Sequence, residues 1–502
     1  MKFPMVLVTA ALAAVVALPL FARVEIGWGE VDITPPFTRR VPLCGQYYQR
    51  IATGVHTPLA VTAVAIRNGG EYFLMASFDN VSVSEGLIDL IRSEVKRRIP
   101  EMDVSRISIN CVHSHSAPDL GAEVYLPEAA MGQNNKEDIW SPAAYQQFAL
   151  PLIVDAYCQA WRNLKPGSVA RAKGLAEIGH CRIAMYLDGH GEMYGDTTRA
   201  DFAGMAAGED PRVEMLFTYD ENGAWSGAIF NVACPAQVME ATYFVSGDIC
   251  GALRQKMKAL HGKDFRVIYQ PSASGCQSPR DLVRGPRDET FDGWHADTCE
   301  VLAERLVRCA KDAVVMPREA DPVVKSVRRS LLLPRRRVTK DEVDAAEREL
   351  KEILAKQTDA ELYASFLAYT REHEKKGGPG PYDSKSLPFV FADVDKAVIA
   401  RAKEQDRKRD LSIEIMAMRV GDAAFVTVPF ELYLMYGQII KARSAAKQTF
   451  VMELCNGDYG YVPTPAVIKS RSYGSGVNNG EIGPDGGFRL ADESVKTIGC
   501  IF

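Results

Sequence analysis

"AVTAVAIRNGGEYFLMASFD", residues 60–79, decides the fold class. Two runs rich in apolar and β-branched residues meet at Asn68-Gly69-Gly70, the turn chemistry of a tight β-hairpin. Two further stretches repeat the pattern: "RVEMLFTYDENGAWSGAIFNVAC" (212–234) turns at Glu221-Asn222-Gly223, and "SIEIMAMRVGDAAFVTVP" (412–429) at Gly421-Asp422. Helical periods lie between them. "SVSEGLIDLIRSEVKRRIP" (82–100) predicts a helix, with Ser82 and Glu85 spaced as a capping box. "AAYQQFALPLIVDAYCQAWRNL" (143–164) predicts a second one, interrupted or kinked near Pro151. "DETFDGWHADTCEVLAERLVRCAKDAV" (288–314) predicts a third, long one. Hairpins interleaved with helices imply a mixed α/β (α+β) fold of mixed, largely antiparallel sheets flanked by helices. A doubly wound parallel sheet does not fit.

Residues 338–410 read differently. They are charged and helical ("DEVDAAERELKEILAKQ", "DVDKAVIARAKEQDRKRD") and split by "KKGGPGPYDS", as in a surface helical insertion with a flexible link. No internal sequence repeat or low-complexity tract is present. The 502 residues, 47% hydrophobic and 25% charged, are ordinary for a globular chain. A net charge of −5 excludes a nucleic-acid binder that relies on a basic face. "PRRRVTK" (334–340) reads as a solvated charge run.

The N-terminus, "MKFPMVLVTAALAAVVALPLFARVE", has the charge, apolar run and small Ala22 of a signal peptide spanning 1–22. Pro19 favours cleavage over an uncleaved membrane anchor. The expectation is a secreted or periplasmic protein with a catalytic unit over 23–502. The eleven cysteines are an odd number, contain no C-x-x-C, and allow no pairing to be read.

"ISINCVHSHSAPD" (107–119) places His113 and His115 two apart at the end of an apolar run. As a strand, it would set both imidazoles on one face with Ile107, Ile109 and Cys111. Such a pair is either metal-binding or two hydrogen-bonded structural histidines. "QPSASGCQSPRD" (270–281) runs from a strand into a Ser/Gly turn carrying Ser278, and reads equally as a loop or as a place to hold a carbonyl oxygen. "VTVPFELY" (426–433) carries Glu431, and "ELCNGDYGYVPTPAVIKSRSYGSG" (453–476) carries Tyr459, Tyr461 and Tyr473.

In this order, with "VEIGWGEVDITPP" (24–36), "GVHTPLAVTAVAI" (54–66), "GYVPTP" (460–465) and "IGPDGG" (482–487), these stretches resemble the neutral/alkaline non-lysosomal ceramidase family. The similarity is to its N-terminal catalytic domain and covers the mature chain except the helical insertion. The chain stops soon after the tyrosine segment, so the expectation is a divergent member lacking the family's C-terminal immunoglobulin-like domain. The resemblance implies a zinc-dependent hydrolase of a linear amide. Its substrate would be N-acylsphingosine or another small-molecule or lipid N-acyl compound, with peripheral membrane contact as an option and nucleic acid excluded.

By resemblance, Zn2+ would be held by His113, Glu431 and Tyr461. His115 would contact the substrate or transition state, and Tyr473 would lie near the scissile amide. "HCRIAMYL" (180–187) gives Arg182 as an active-site arginine, and "GCQSP" gives Ser278. Two departures stand out. The family's second zinc histidine has no counterpart in "NVACPAQVMEATYFVSGDICG" (231–251), where Cys234 or Gln237 would have to substitute. Cys276 stands where the family has an aspartate. The cysteines near these motifs (Cys111, Cys181, Cys234, Cys276, Cys455) read as buried packing residues. Two other readings remain: a secreted binding protein that has lost the metal, and a metal-independent serine hydrolase acting through Ser278.

Overall fold

The computed structural model describes residues 24–46, 50–121, 138–285, 296–374 and 388–502. The expected signal peptide and the Gly/Pro link at 375–384 lie outside these residues.

Each of the three hairpins read from sequence forms, and each opens the same larger unit. Ala60–Asn68 pairs antiparallel with Glu71–Phe78 through a turn in which Gly69 takes φ 60°. The chain then crosses over as helix Glu85–Arg98 and returns as Ile107–Cys111, parallel to Glu71–Phe78. The second unit pairs Arg212–Tyr219 with Trp225–Val232, crosses through helix Asp248–His261, and returns as the parallel strand Arg266–Pro271. The third pairs Asp410–Val420 with Ala423–Thr427, crosses through helix Leu434–Arg443, and returns as Gln448–Met452. Added strands complete sheets that are otherwise antiparallel. The mixed, mainly antiparallel architecture expected from the turns is therefore present. A threefold recurrence of hairpin, helix and parallel strand appears as well, with no repeat in sequence to announce it.

The inner faces of the three sheets share one apolar core. Val64, Ile66, Phe73 and Met75 meet Leu216, Ile229 and Ile268 from the second sheet and Met416, Phe425, Phe450 and Met452 from the third. Burying each of these side chains contributes about 1.5–3 kcal/mol. Phe425 and Phe450 stack at 4.2 Å between ring centres. The outer faces are covered by paired helices: Glu85–Arg98 with Pro142–Arg162, Asp248–His261 with Ala296–Lys311, and Leu434–Arg443 with Pro484–Gly499. Buried amides tie the sheets together at their ends. Asn110 Nδ2 donates to Glu453 O at 2.8 Å, and Asn231 Nδ2 donates to Val451 O at 2.8 Å.

Local details differ from the sequence expectation. The first helix is capped by Ser84, whose side chain accepts from Leu87 N, so Ser82 and Glu85 form no capping box. Helix Pro142–Arg162 runs through Pro151 without interruption. Its face of Ala149, Ile153, Ala156, Tyr157 and Ala160 is buried on the first sheet, and that burial outweighs the one hydrogen bond that proline removes. Between 338 and 410 stand helices Lys340–Leu354, Asp359–Glu374 and Pro388–Glu404, the first opened by a Thr339–Glu342 capping box.

The helix approaches the first strand closely because Gly27 and Gly29 leave room. A Cβ at Gly27 would sit 2.0 Å from Ala160 O, and one at Gly29 2.1 Å from Ala156 O. Gly27→Val is therefore expected to destabilise the fold by about 1–3 kcal/mol or more. Urea denaturation at unchanged m-value is the check, and wild-type stability in that variant would contradict the packing described.

Candidate active site

The C-terminal ends of the three parallel strand pairs converge on one rim, and nearly all the sequence-predicted site residues leave from it. Strand Ile107–Cys111 ends two residues before His113, which takes φ 66°. The strand rule that would put both histidines on one face with Cys111 stops applying at that point. The left-handed turn nevertheless brings both imidazoles to the same place, edge-on with ring centres 4.8 Å apart. Glu431 and Tyr461 are direct register partners in a short parallel pair, Glu431–Leu432 with Tyr461–Val462. Arg182 follows the pair His180–Cys181.

These side chains surround a small cavity of about 30 Å³, lined by His113, His115, Arg182, Glu431, Tyr461 and Tyr473 together with Gln237 and Glu240. That is room for an ion or a water. Ser278 and Cys234 do not line it. Ser278 is fully buried, its Oγ accepting from Arg280 N at 3.3 Å. Cys234 packs in the core of the second unit, its thiol donating to Pro235 O and pushed well up by burial. Cys276 likewise lies in the core of the third unit. All eleven thiols are free, and Cys111, Cys181, Cys234, Cys276 and Cys455 are buried as packing residues.

The protonation pattern follows from the contacts. His113 Nδ1 lies 3.3 Å from Val81 O, so Nδ1 carries the proton and Nε2 keeps its lone pair. Burial pushes both histidines down to about 4, leaving neutral imidazoles at neutral pH. The bare Nε2 of His113 faces Glu431 Oε2 at 3.3 Å. Burial raises the Glu431 carboxyl, and Tyr461 is hydrogen-bonded to it. Arg182 Nη2 donates to the Tyr461 hydroxyl at 3.0 Å and to Gly275 O at 2.9 Å.

Two acceptors facing one another invite a cation. Two ligands at ~2.0–2.1 Å on a tetrahedral zinc lie ~3.3 Å apart, which matches the His113–Glu431 separation. Gln237 adds a further lone pair, because its buried Oε1 has no hydrogen-bond partner among the described residues. No group of three His, Cys, Asp or Glu side chains suited to a metal occurs among the described residues. The fit therefore depends on Tyr461 and the Gln237 amide completing what His113 and Glu431 begin.

Sequence reasoning missed the layer behind His115. Its Nδ1 lies 3.1 Å from Glu240 Oε2, while Gln237 Nε2 donates to its Nε2 at 2.8 Å. Glu240 in turn accepts from Arg280, from the Tyr194 hydroxyl at 3.0 Å and from Gln46 Nε2 at 3.3 Å. Despite burial, Arg280 and His115 hold the Glu240 carboxyl well below its usual range. Gly45, at φ 94°, is required where the His115 ring comes closest, because a Cβ there would sit 2.3 Å from His115 Cγ. Glu240 lies three residues after Gln237, and Arg280 two after Ser278, so both stand inside stretches the sequence singled out.

No protein-family model matches this chain, and no curated protein matches it. Two solved structures are similar across most of its length. A neutral ceramidase from Pseudomonas aeruginosa aligns with TM-score 0.65 and 17% identity, over 95% of this chain and 74% of that one. A ceramidase complexed with C2 aligns with TM-score 0.64 and 16% identity, over 95% and 75%. At this identity the likeness defines a ceramidase-like fold.

The buried Arg280–Glu240 pair yields a sharp expectation. Glu240→Leu strands the guanidinium and should cost about 3–5 kcal/mol, whereas Glu240→Leu with Arg280→Leu should recover most of that loss. Denaturation of both variants checks it, and a double variant as unstable as the single one would contradict the pairing.

Proposed function

We propose that this chain is an amide hydrolase of the ceramidase kind, cleaving N-acylsphingosine or another N-acyl compound. The observation that carries this reading is the pair of facing acceptors, His113 Nε2 and Glu431 Oε2, 3.3 Å apart in a buried cavity beside Arg182 and His115. His113, Glu431 and Tyr461 would hold a zinc ion, with Gln237 Oε1 in the part that the absent histidine plays in the family resembled. When bound, zinc supplies Lewis-acid polarisation of the carbonyl and an acidified water.

The protein's own groups divide the remaining work. Arg182, fixed by Gly275 O and Tyr461, donates toward the oxygen on which negative charge develops. His115 is neutral and oriented by Glu240, so its Nε2 can accept a proton and return it to the departing amine. Gln237 shares that nitrogen and holds it in place until substrate arrives. Tyr473 lines the same cavity, edge-on to Tyr461 with ring centres 5.5 Å apart. Ser278 supports from behind, through Arg280. We further propose residues 23–502 as one catalytic unit carrying the 338–410 insertion, and residues 1–22 as a signal for export, on the sequence pattern alone.

Metal analysis of the purified protein, with hydrolysis of a fluorescent N-acylsphingosine and shorter N-acyl amides, tests the reading. The expectation is about one zinc per chain, lost in His113→Ala and Glu431→Ala, with activity abolished by chelator and restored by zinc. A metal-free protein without amidase activity would favour a binding protein of the same fold. Chelator-resistant activity lost in Ser278→Ala would favour the serine hydrolase.

A further inference from the structure

Tyr473 also lines a second cavity of about 380 Å³, within the ~300–1,000 Å³ range of small-molecule sites. The walls of the larger one come from helices Lys340–Leu354 and Pro388–Glu404 and from the segment 468–479. Val390, Val394, Val398 and Ile468 supply apolar surface.

Its polar groups are unusual in what they lack. Asp395, on helix Pro388–Glu404, is 2% exposed, and its Oδ2 has no hydrogen-bond partner among the described residues. Asn478, also in the lining, gives its Nδ2 to Asp393 at 3.0 Å, and its buried Oδ1 has no donor among the described residues. The two arginines of the lining are already engaged, Arg336 with Glu342 at 2.9 Å and Arg471 with Glu349 at 3.3 Å. Burial, reinforced by Glu349, pushes the Asp395 carboxyl up to about 7. Both oxygens are already out of contact with water, so a hydrocarbon chain laid here would leave them unmade. A ligand bearing several hydroxyl groups would satisfy them while its ring faces packed on the valines.

We propose that this cavity is the subsite for the amine half of the substrate, and that it takes a polyhydroxylated amine such as an amino sugar, whose hydroxyls donate to Asp395 Oδ2 and Asn478 Oδ1. The proposal rests on the amide-hydrolase reading and narrows its substrate. The acyl half would then lie on the opposite side of Tyr473, with the scissile bond over the smaller cavity.

Calorimetric titration with D-glucosamine, which requires no turnover, tests the subsite directly. Wild type should bind it, Asp395→Leu should weaken binding at least ~10-fold, and Asp395→Asn should retain most of it because an acceptor remains. Thermal denaturation confirms that each variant is folded. In parallel, Asp395→Leu should raise KM for N-acetyl-D-glucosamine with kcat nearly unchanged, and should not raise KM for N-acetylhexylamine, whose chain has no hydroxyl to give to Asp395. Failure of wild type to bind glucosamine, or equal binding by Asp395→Leu, overturns the proposal. If N-acetylhexylamine is nevertheless cleaved, the amide-hydrolase reading survives that failure. Asp395-dependent glucosamine binding without cleavage of any amide would uphold the subsite and remove the hydrolase.

Discussion

Burial of three sheet faces against one another is the constraint from which the rest follows. The shared core of Phe73, Ile229, Phe425, Phe450 and their neighbours is apolar, so clusters of charged groups gather where strands end. In each unit the crossover helix lies outside, and the parallel pair therefore ends on the same rim. Ligand sites in sheets with parallel pairs gather at the carboxyl ends of those strands for this reason. His113, Gln237, Glu431 and Tyr461 come from segments far apart in sequence, yet each lies a few residues beyond a strand that the core fixes. Glu453 braces the junction, accepting from Ser274 N at 3.1 Å and Leu432 N at 3.0 Å, so the loops that follow two different strands are held by one carboxylate.

What could be read from sequence and what could not divides by range. Gly69, Gly223 and Gly421 declare their turns because a positive φ is a local demand that glycine meets, and all three adopt it. Helix existence was equally legible from period. The choice of Ser84 over Ser82 as cap was not, since either serine satisfies local chemistry and only the path of the preceding loop decides. Pro151 does not interrupt its helix for the converse reason: a local penalty was outweighed by a buried face that only the sheet supplies. The threefold recurrence left no mark in the residues because each unit packs different side chains into the same geometry.

The site was legible as a set of stretches and opaque as a set of contacts. His113, Arg182, Glu431, Tyr461 and Tyr473 do line one cavity. The strand argument for His113 and His115 pointed to the right place by a wrong route, since His113 lies past the strand in a left-handed turn. Glu240 and Arg280 were invisible because a lone glutamate and a lone arginine ordinarily belong to the surface, and only their mutual burial changes that meaning. Ser278 carried a motif, but its Oγ accepts from Arg280 N and it does not line this cavity.

The two cavities treat buried oxygens in opposite ways, and the difference has a physical meaning. Glu240 has every side filled, by Arg280, His115, Tyr194 and Gln46, as a carboxylate must when its task is to stay fixed and charged. Asp395 Oδ2 and Asn478 Oδ1 have no partner among the described residues, at a cost of about 1–3 kcal/mol each if they stay so. A fold can absorb such a cost, but an unmade hydrogen bond brings it no stability in return. The satisfied carboxylate therefore belongs to a framework that must not move. The unsatisfied acceptors belong to a surface whose energy falls when donors arrive, and Tyr473 is a wall common to both cavities.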